Sequence, residues 1–129
     1  MKKVVTYGTF DLFHIGHLRL LERLRNYGDH LTVFVSTDEF NEVKGKKSLS
    51  KCADRAEVVA ALRCVDEVYF ETCWDQKVHD INRLDIDIFG MGDDWLGKFD
   101  FLLPHCQVIY LPRTEGVSSS YFKKKLSSV

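Results

Sequence analysis

Apolar positions along this chain fall into short runs and helical stripes that alternate with one another. Val4 and Val5, with Thr6 and Tyr7 behind them, form a β-branched run over 3–7 that reads as a buried strand. The period then changes. Over 15–26, Leu20, Leu24 and Tyr27 recur at i, i+4 and i+7, which predicts an amphipathic helix with Gly28 as its C-terminal stop. A second strand is expected over 30–36 and a short turn or helix over 37–40. Residues 42–51 are polar and lysine-rich with nothing periodic, so a mobile loop is expected there. Beyond it come a helix over 54–63 with Asp54 as N-cap, a strand over 66–71 and a helix over 75–83. A fourth strand over 85–89 ends at Gly90-Met91-Gly92, a fifth spans 107–111, and a helix over 118–126 closes the pattern.

Short apolar strands separated by helices of about ten residues indicate βαβ units and a parallel sheet covered on both faces. With right-handed crossovers the expected fold is α/β, a Rossmann-like doubly wound sandwich with a five-stranded parallel sheet, in one domain over 1–129. Ligands in such sheets bind beyond the carboxyl ends of the strands. Four unusual segments follow strands and should meet on that rim: the turn holding His14 and His17, the lysine loop, Gly92 to Trp95, and Pro112 to Ser120.

Composition narrows the class. At 129 residues the chain can bury roughly two-thirds of its unfolded surface. A formal charge of −1 excludes a global field for nucleic acid, so any anion site must come from local clustering. Cys52, Cys64, Cys73 and Cys106 show no C-x-x-C spacing and read as reduced thiols rather than zinc ligands. Met1-Lys2-Lys3 leads straight into a strand without a signal-peptide h-region, and no run approaches the roughly 20 apolar residues of a membrane span. A cytoplasmic location without membrane attachment is expected.

The chemistry concentrates in Gly8-Thr9-Phe10-Asp11-Leu12-Phe13-His14-Ile15-Gly16-His17, where a strand becomes a helix. The first N–H groups of a helix lack internal partners and the macrodipole favours negative charge there. Two imidazoles three positions apart add donors to that site, and Gly16 lets a base or phosphate approach the backbone. Two other nucleotide patterns fail. Gly45-Lys46-Lys47-Ser48 lacks the upstream glycine of a Walker loop, and Gly90-Met91-Gly92 has Trp95 where a dinucleotide fingerprint needs glycine.

With Arg113-Thr114-Glu115-Gly116-Val117-Ser118-Ser119, this H-x-G-H turn resembles the cytidylyltransferase branch of the HxGH nucleotidyltransferase superfamily. Within that branch the chain is most similar to the glycerol-3-phosphate cytidylyltransferase family, through Ser36 to Asn41, Met91 to Trp95 and Gly97 to Asp100. The resemblance implies transfer of CMP from CTP, with Mg²⁺, to a small phosphomonoester, most closely sn-glycerol 3-phosphate, in a homodimer. Teichoic acid or a related glycerol-phosphate polymer would use the product.

By that resemblance, His14, His17, Lys46 and Arg113 are catalytic. Lys46 would bridge the two phosphates with help from Lys44. Thr9, Phe10, Gly16, Arg63, Asp66, Asp94, Thr114, Ser118 and Ser119 would contact the nucleotide, with Ser118 and Ser119 at the β and γ groups. Some alternatives stay open. Asp11 either supports the histidine turn or holds Mg²⁺, Asp94 binds ribose or orders the base pocket, and Arg63 with Asp66 forms either a nucleotide contact or a structural pair. Trp74 and Trp95 wall an acceptor pocket or serve core or dimer packing. An adenylyltransferase, a transferase for another alcohol phosphate such as ethanolamine phosphate, and a non-catalytic nucleotide sensor remain the competing functions. A cationic alcohol would need an aromatic or acidic cage, and glycerol only hydrogen bonds.

Overall fold

The computed structural model describes residues 1–113 and 123–126. Five strands, β1 (Lys3–Gly8), β2 (His30–Ser36), β3 (Glu67–Glu71), β4 (Ile88–Gly92) and β5 (Gln107–Leu111), form one sheet in the order β3-β2-β1-β4-β5. Every pairing is parallel, with Val4 beside Leu31 on one side and Ile88 on the other. The helices are α1 (Ile15–Arg25), α2 (Asp38–Val43), α3 (Cys52–Ala60) and α4 (Gln76–Arg83), and single 3₁₀ turns at Asp93–Trp95 and Asp100–Leu102 lie between β4 and β5. The chain builds outward from β1 to β3, then crosses back over β1 to place β4. Strand order therefore reverses between β1 and β4, where a crevice opens at the carboxyl ends.

Alternation along each strand sends side chains to two cores. Val4, Leu31, Val33 and Ile88 pack with Leu21 and Leu24 of α1 and Val59 of α3. On the other face Val5, Tyr7, Phe34 and Phe89 pack with Ile81 of α4 and with Phe99 and Leu102. Central strands buried on both sides explain why their sequences read as continuous apolar runs.

Several boundaries differ from expectation for physical reasons. Asp54 does not cap α3; the helix begins at Cys52, whose N–H donates to the Asp38 carboxylate at 3.1 Å. Glu42 and Val43 belong to α2 rather than to the lysine loop. The fourth strand starts at Ile88, after a left-handed turn at Asp85 (φ 53°), so Gly90 and Gly92 lie inside it. Of the expected closing helix, 123–126 are helical and the remainder lies outside the described residues.

Gly28 also acts differently from a left-handed helix stop. Asn26 caps α1, and the described glycines with positive φ are Gly45 and Gly97. A Cβ at Gly28 would stand 2.6 Å from the Lys2 carbonyl oxygen, at the crossing where Asp29 N–H donates to that same oxygen at 2.7 Å. The obstacle is backbone, which a rotamer change cannot relieve. Gly28→Ala should therefore lower unfolding stability by about 1–3 kcal/mol in urea titration; an unchanged midpoint would show that the Lys2 turn yields freely.

Candidate active site

A cleft of about 570 Å³ lies at the reversal point, bounded by the ends of β1 and β4 and by segments that follow the other strands. Its walls carry His14, His17, Lys44, Lys46, Arg113 and Lys123, so several cations and two imidazoles face one space. No cysteine lines it, and the four thiols are unpaired.

The histidine turn follows two residues in the left-handed region, Phe10 (φ 55°) and Leu12 (φ 48°), which is strained backbone for non-glycine residues. His14 then caps α1. Its Nδ1 accepts from Gly16 N–H at 3.0 Å, while His17 Nδ1 accepts from His14 N–H at 3.2 Å. This is a capping box built from two imidazoles. Because each Nδ1 accepts, each ring in its neutral form carries its proton on Nε2. The rings stack with centroids 3.9 Å apart, and the edge of Phe10 braces His17 at 5.5 Å. Burial pushes the His14 pKa down. For His17, burial and then the His14 charge bring it to about 4, against an opposing pull from Asp11. The pair is thus neutral at physiological pH and offers N–H donors without a standing charge.

The lysine loop leaves α2 through a turn that aims both lysines. Gly45 (φ 74°) supplies the left-handed residue; its N–H donates to Glu42 carbonyl at 3.0 Å and Lys46 N–H to Asn41 carbonyl at 2.8 Å. These two bonds are a Schellman motif, with Lys44 and Lys46 on either side of the glycine. Lys44 Nζ stands 4.7 Å from the Phe40 ring centre, and Lys46 Nζ 5.8 Å from that of Trp95.

The loop is fastened rather than loose. Arg55, 2% exposed, donates to the carbonyls of Thr9, Ser36 and Ser50 and to the Asp38 carboxylate at 2.8–2.9 Å. Asp11 accepts from Leu49 N–H at 2.7 Å, Ser50 N–H at 2.9 Å and Lys123 at 2.9 Å. Burial alone would raise the Asp11 pKa, but these donors outweigh it and hold the carboxyl below its usual range. Its two oxygens are thereby committed to N–H groups and an ammonium. That is a poor fit to a Mg²⁺ ligand, and no cluster of three or more metal-ligating side chains occurs among the described residues. Asp11 instead ties the loop to Lys123.

Most expected site residues do meet in the cleft: Thr9, Phe10, Asp11, Gly16, Trp74 and Asp94 line it beside the catalytic candidates. Thr114, Ser118 and Ser119 lie outside the described residues. Arg63 and Asp66 do not belong there. Asp66 precedes β3, where its carboxylate accepts from Leu31 N–H at 2.8 Å and pairs with Arg25 at 3.1 Å. That is the amino-end rim of the parallel sheet, opposite the cleft, and the exposed Arg63 lies in the same connection. The structural reading holds for Asp66, with Arg25 as the partner.

Three features escaped the sequence reading: Arg55, Asn41, and the buried pair Glu71–Lys77 in the cleft wall. Asn41 Oδ1 accepts from Ser36 at 2.8 Å and Thr9 at 3.3 Å. Its buried Nδ2 has no partner among the described residues.

The pattern that defines cytidylyltransferase-like proteins matches residues 5–125. The chain belongs to the cytidylyltransferase-like family. It is similar to the glycerol-3-phosphate cytidylyltransferases of Bacillus spizizenii, at 55% identity, and Bacillus subtilis, at 53%, in each case over all of both chains. Among solved structures, a lipopolysaccharide core biosynthesis protein from Thermoplasma volcanium shares the fold, with a TM-score of 0.76 and 22% identity over 89% of this chain and 99% of that one. Membership agrees with a cleft of cations and neutral donors at the strand-order reversal.

The imidazole pair also carries a pH signature. His17 stays neutral in the folded protein down to about pH 4, whereas an unfolded histidine binds its proton near ~6.5. Its contribution to stability is complete above pH ~6.5 and is lost as pH falls toward 4. Melting temperature should accordingly decline over that window. The decline should be shallower in His17→Gln, and parallel curves for the two proteins would refute the assignment.

Proposed function

We propose that this chain transfers CMP from CTP to sn-glycerol 3-phosphate, producing CDP-glycerol and pyrophosphate. Full-length identity of 55% to a glycerol-3-phosphate cytidylyltransferase carries the reading. The chemistry of the cleft supports it. The second pKa of a phosphomonoester is about 6, so the attacking oxygen is already largely deprotonated at neutral pH and no general base is required. The obstacle is the mutual repulsion of two anions, together with charge that builds on the α-phosphate oxygens and on the departing pyrophosphate. The Nε2–H groups of His14 and His17 are suited to donate to those oxygens. Lys44 and Lys46, carried on one turn, would hold the acceptor phosphate against the α-phosphate, and Arg113 would bind from the far wall.

Mg²⁺ would enter on the phosphates of CTP, neutralising part of their charge. A homodimer in the bacterial cytoplasm, supplying CDP-glycerol for teichoic acid or a related polymer, completes the proposal. No helix among the described residues is long and apolar enough to cross a membrane.

Mass spectrometry of the protein incubated with Mg²⁺, CTP and glycerol 3-phosphate should detect CDP-glycerol. Product forming faster from ATP, or from ethanolamine phosphate, would overturn the substrate assignment.

Lys44 adds a second expectation. Burial first, and the charges of Lys46, Lys77 and Arg55 against the opposing pull of Glu71, lower its pKa to about 8. Anion binding favours the charged ammonium, so acceptor affinity should weaken as pH rises past 8. The KM for glycerol 3-phosphate should climb between pH 8 and 9.5, and Lys44→Arg should shift that climb upward. A KM that stays level in the wild type would remove Lys44 from the acceptor phosphate.

A further inference from the structure

One end of the cleft holds a charged pair that the transfer chemistry does not use. Glu71 ends β3 and Lys77 lies in the first turn of α4; their side chains are each 3% exposed and bonded at 2.5 Å. Both nevertheless form part of the cleft wall, beside Trp74. Lys77 Nζ lies 4.8 Å from the ring centre of Tyr7, 5.2 Å from Trp74 and 5.4 Å from Phe99. Three aromatic faces and a carboxylate around one cation are the recognition chemistry of an alkylammonium ligand. Here the protein's own ammonium occupies the cage.

Lys44, the candidate ligand of the acceptor phosphate, stands over the same Trp74 ring at 5.8 Å. A phosphomonoester held by Lys44 would have its alcohol portion within reach of Trp74 and the buried pair, which line the same cleft. We propose that Lys77 determines acceptor class: by filling the aromatic cage and neutralising Glu71, it excludes cationic alcohol phosphates and leaves a donor–acceptor pair for the hydroxyls of a neutral polyol. An ammonium has three donors and a carboxylate several acceptor positions, so the pair keeps capacity for two hydroxyls after bonding to itself. A cationic head group would meet Lys77 at close range with its counter-charge already taken. Glu71 and Lys77 thus act as one neutral unit. The remaining fastening of α4 supports that geometry, since Tyr7 donates to Asp80 at 2.9 Å and Gln76 donates to the same oxygen at 2.9 Å.

The inference rests on the proposed glycerol 3-phosphate reaction, and one assay separates their failures. Pyrophosphate release with CTP is measured for glycerol 3-phosphate and for choline phosphate, in the wild type, Lys77→Ala, Lys77→Arg and the double variant Glu71→Gln/Lys77→Ala. CTP-dependent thermal shift confirms a folded nucleotide site in each. The wild type should strongly prefer glycerol 3-phosphate and Lys77→Arg should keep that preference. Lys77→Ala, with an emptied cage and an unpaired Glu71, should lower the preference by about tenfold or more, through lost polyol use and gained choline phosphate use. The double variant leaves no buried unpaired charge, so it provides the folded comparison if Lys77→Ala is unstable. It too should lose preference, with a smaller gain for choline phosphate than Lys77→Ala shows. Wild type that fails to use glycerol 3-phosphate sinks the proposed function. Wild type that turns over choline phosphate comparably, or a folded cage variant with an unaltered preference, sinks the role of Lys77 alone.

Discussion

A single buried guanidinium holds the working end of this protein together. Parallel strands leave their last carbonyls without partners at the carboxyl rim, and Arg55 answers those of Thr9 and Ser36 while also reaching Ser50 and Asp38. Three stretches of chain, at Thr9, at Ser36 and Asp38, and at Ser50, thereby converge on one planar group whose donors have fixed directions. Asp38 returns the favour to the helix that carries Arg55 by accepting from Cys52 N–H at its first turn. Replacing the guanidinium by a smaller group would leave several buried carbonyls unmet, a larger penalty than the loss of one surface ion pair. The histidine turn and the lysine loop keep their mutual distance because both are anchored to this hub.

Charge in the cleft is graded. At the phosphate end cations are concentrated, and the two imidazoles contribute donors without adding to the repulsion among them. At the other end Glu71 cancels Lys77, so this buried pair is polar and carries no net charge. Two anionic reactants can therefore share one region while an uncharged alcohol fits the next. The gradient comes from where the strands end: Glu71 closes β3, and the histidine turn follows β1 at the reversal of strand order.

Much of this was legible in the chain. Apolar runs separated by amphipathic stripes marked five strands and the helices between them, and the His14–Gly16–His17 spacing marked a strand-to-helix junction that lines the cleft. Arg55 was not legible because it sits on a helix among polar neighbours, where an arginine normally faces water; only tertiary contact shows it buried. The Schellman turn at Gly45 was hidden because the helix before it is six residues long and too short to show a period. Arg63 and Asp66 were misplaced for a topological reason. Residues that precede a parallel strand fall on the rim opposite those that follow it, and Asp66 comes before β3. Glu71 and Lys77 are six positions apart across a strand-to-helix connection, a separation that no local periodicity reveals.

Neutral imidazoles that act only as hydrogen-bond donors would serve the transfer and its reversal alike. Pyrophosphate attacking the cytidylyl phosphorus of CDP-glycerol, with glycerol 3-phosphate leaving, would meet the same donors as the forward nucleophile. Net flux is then set outside the protein, by how quickly the released pyrophosphate is hydrolysed and the activated alcohol consumed, and the cleft itself works as a two-way valve.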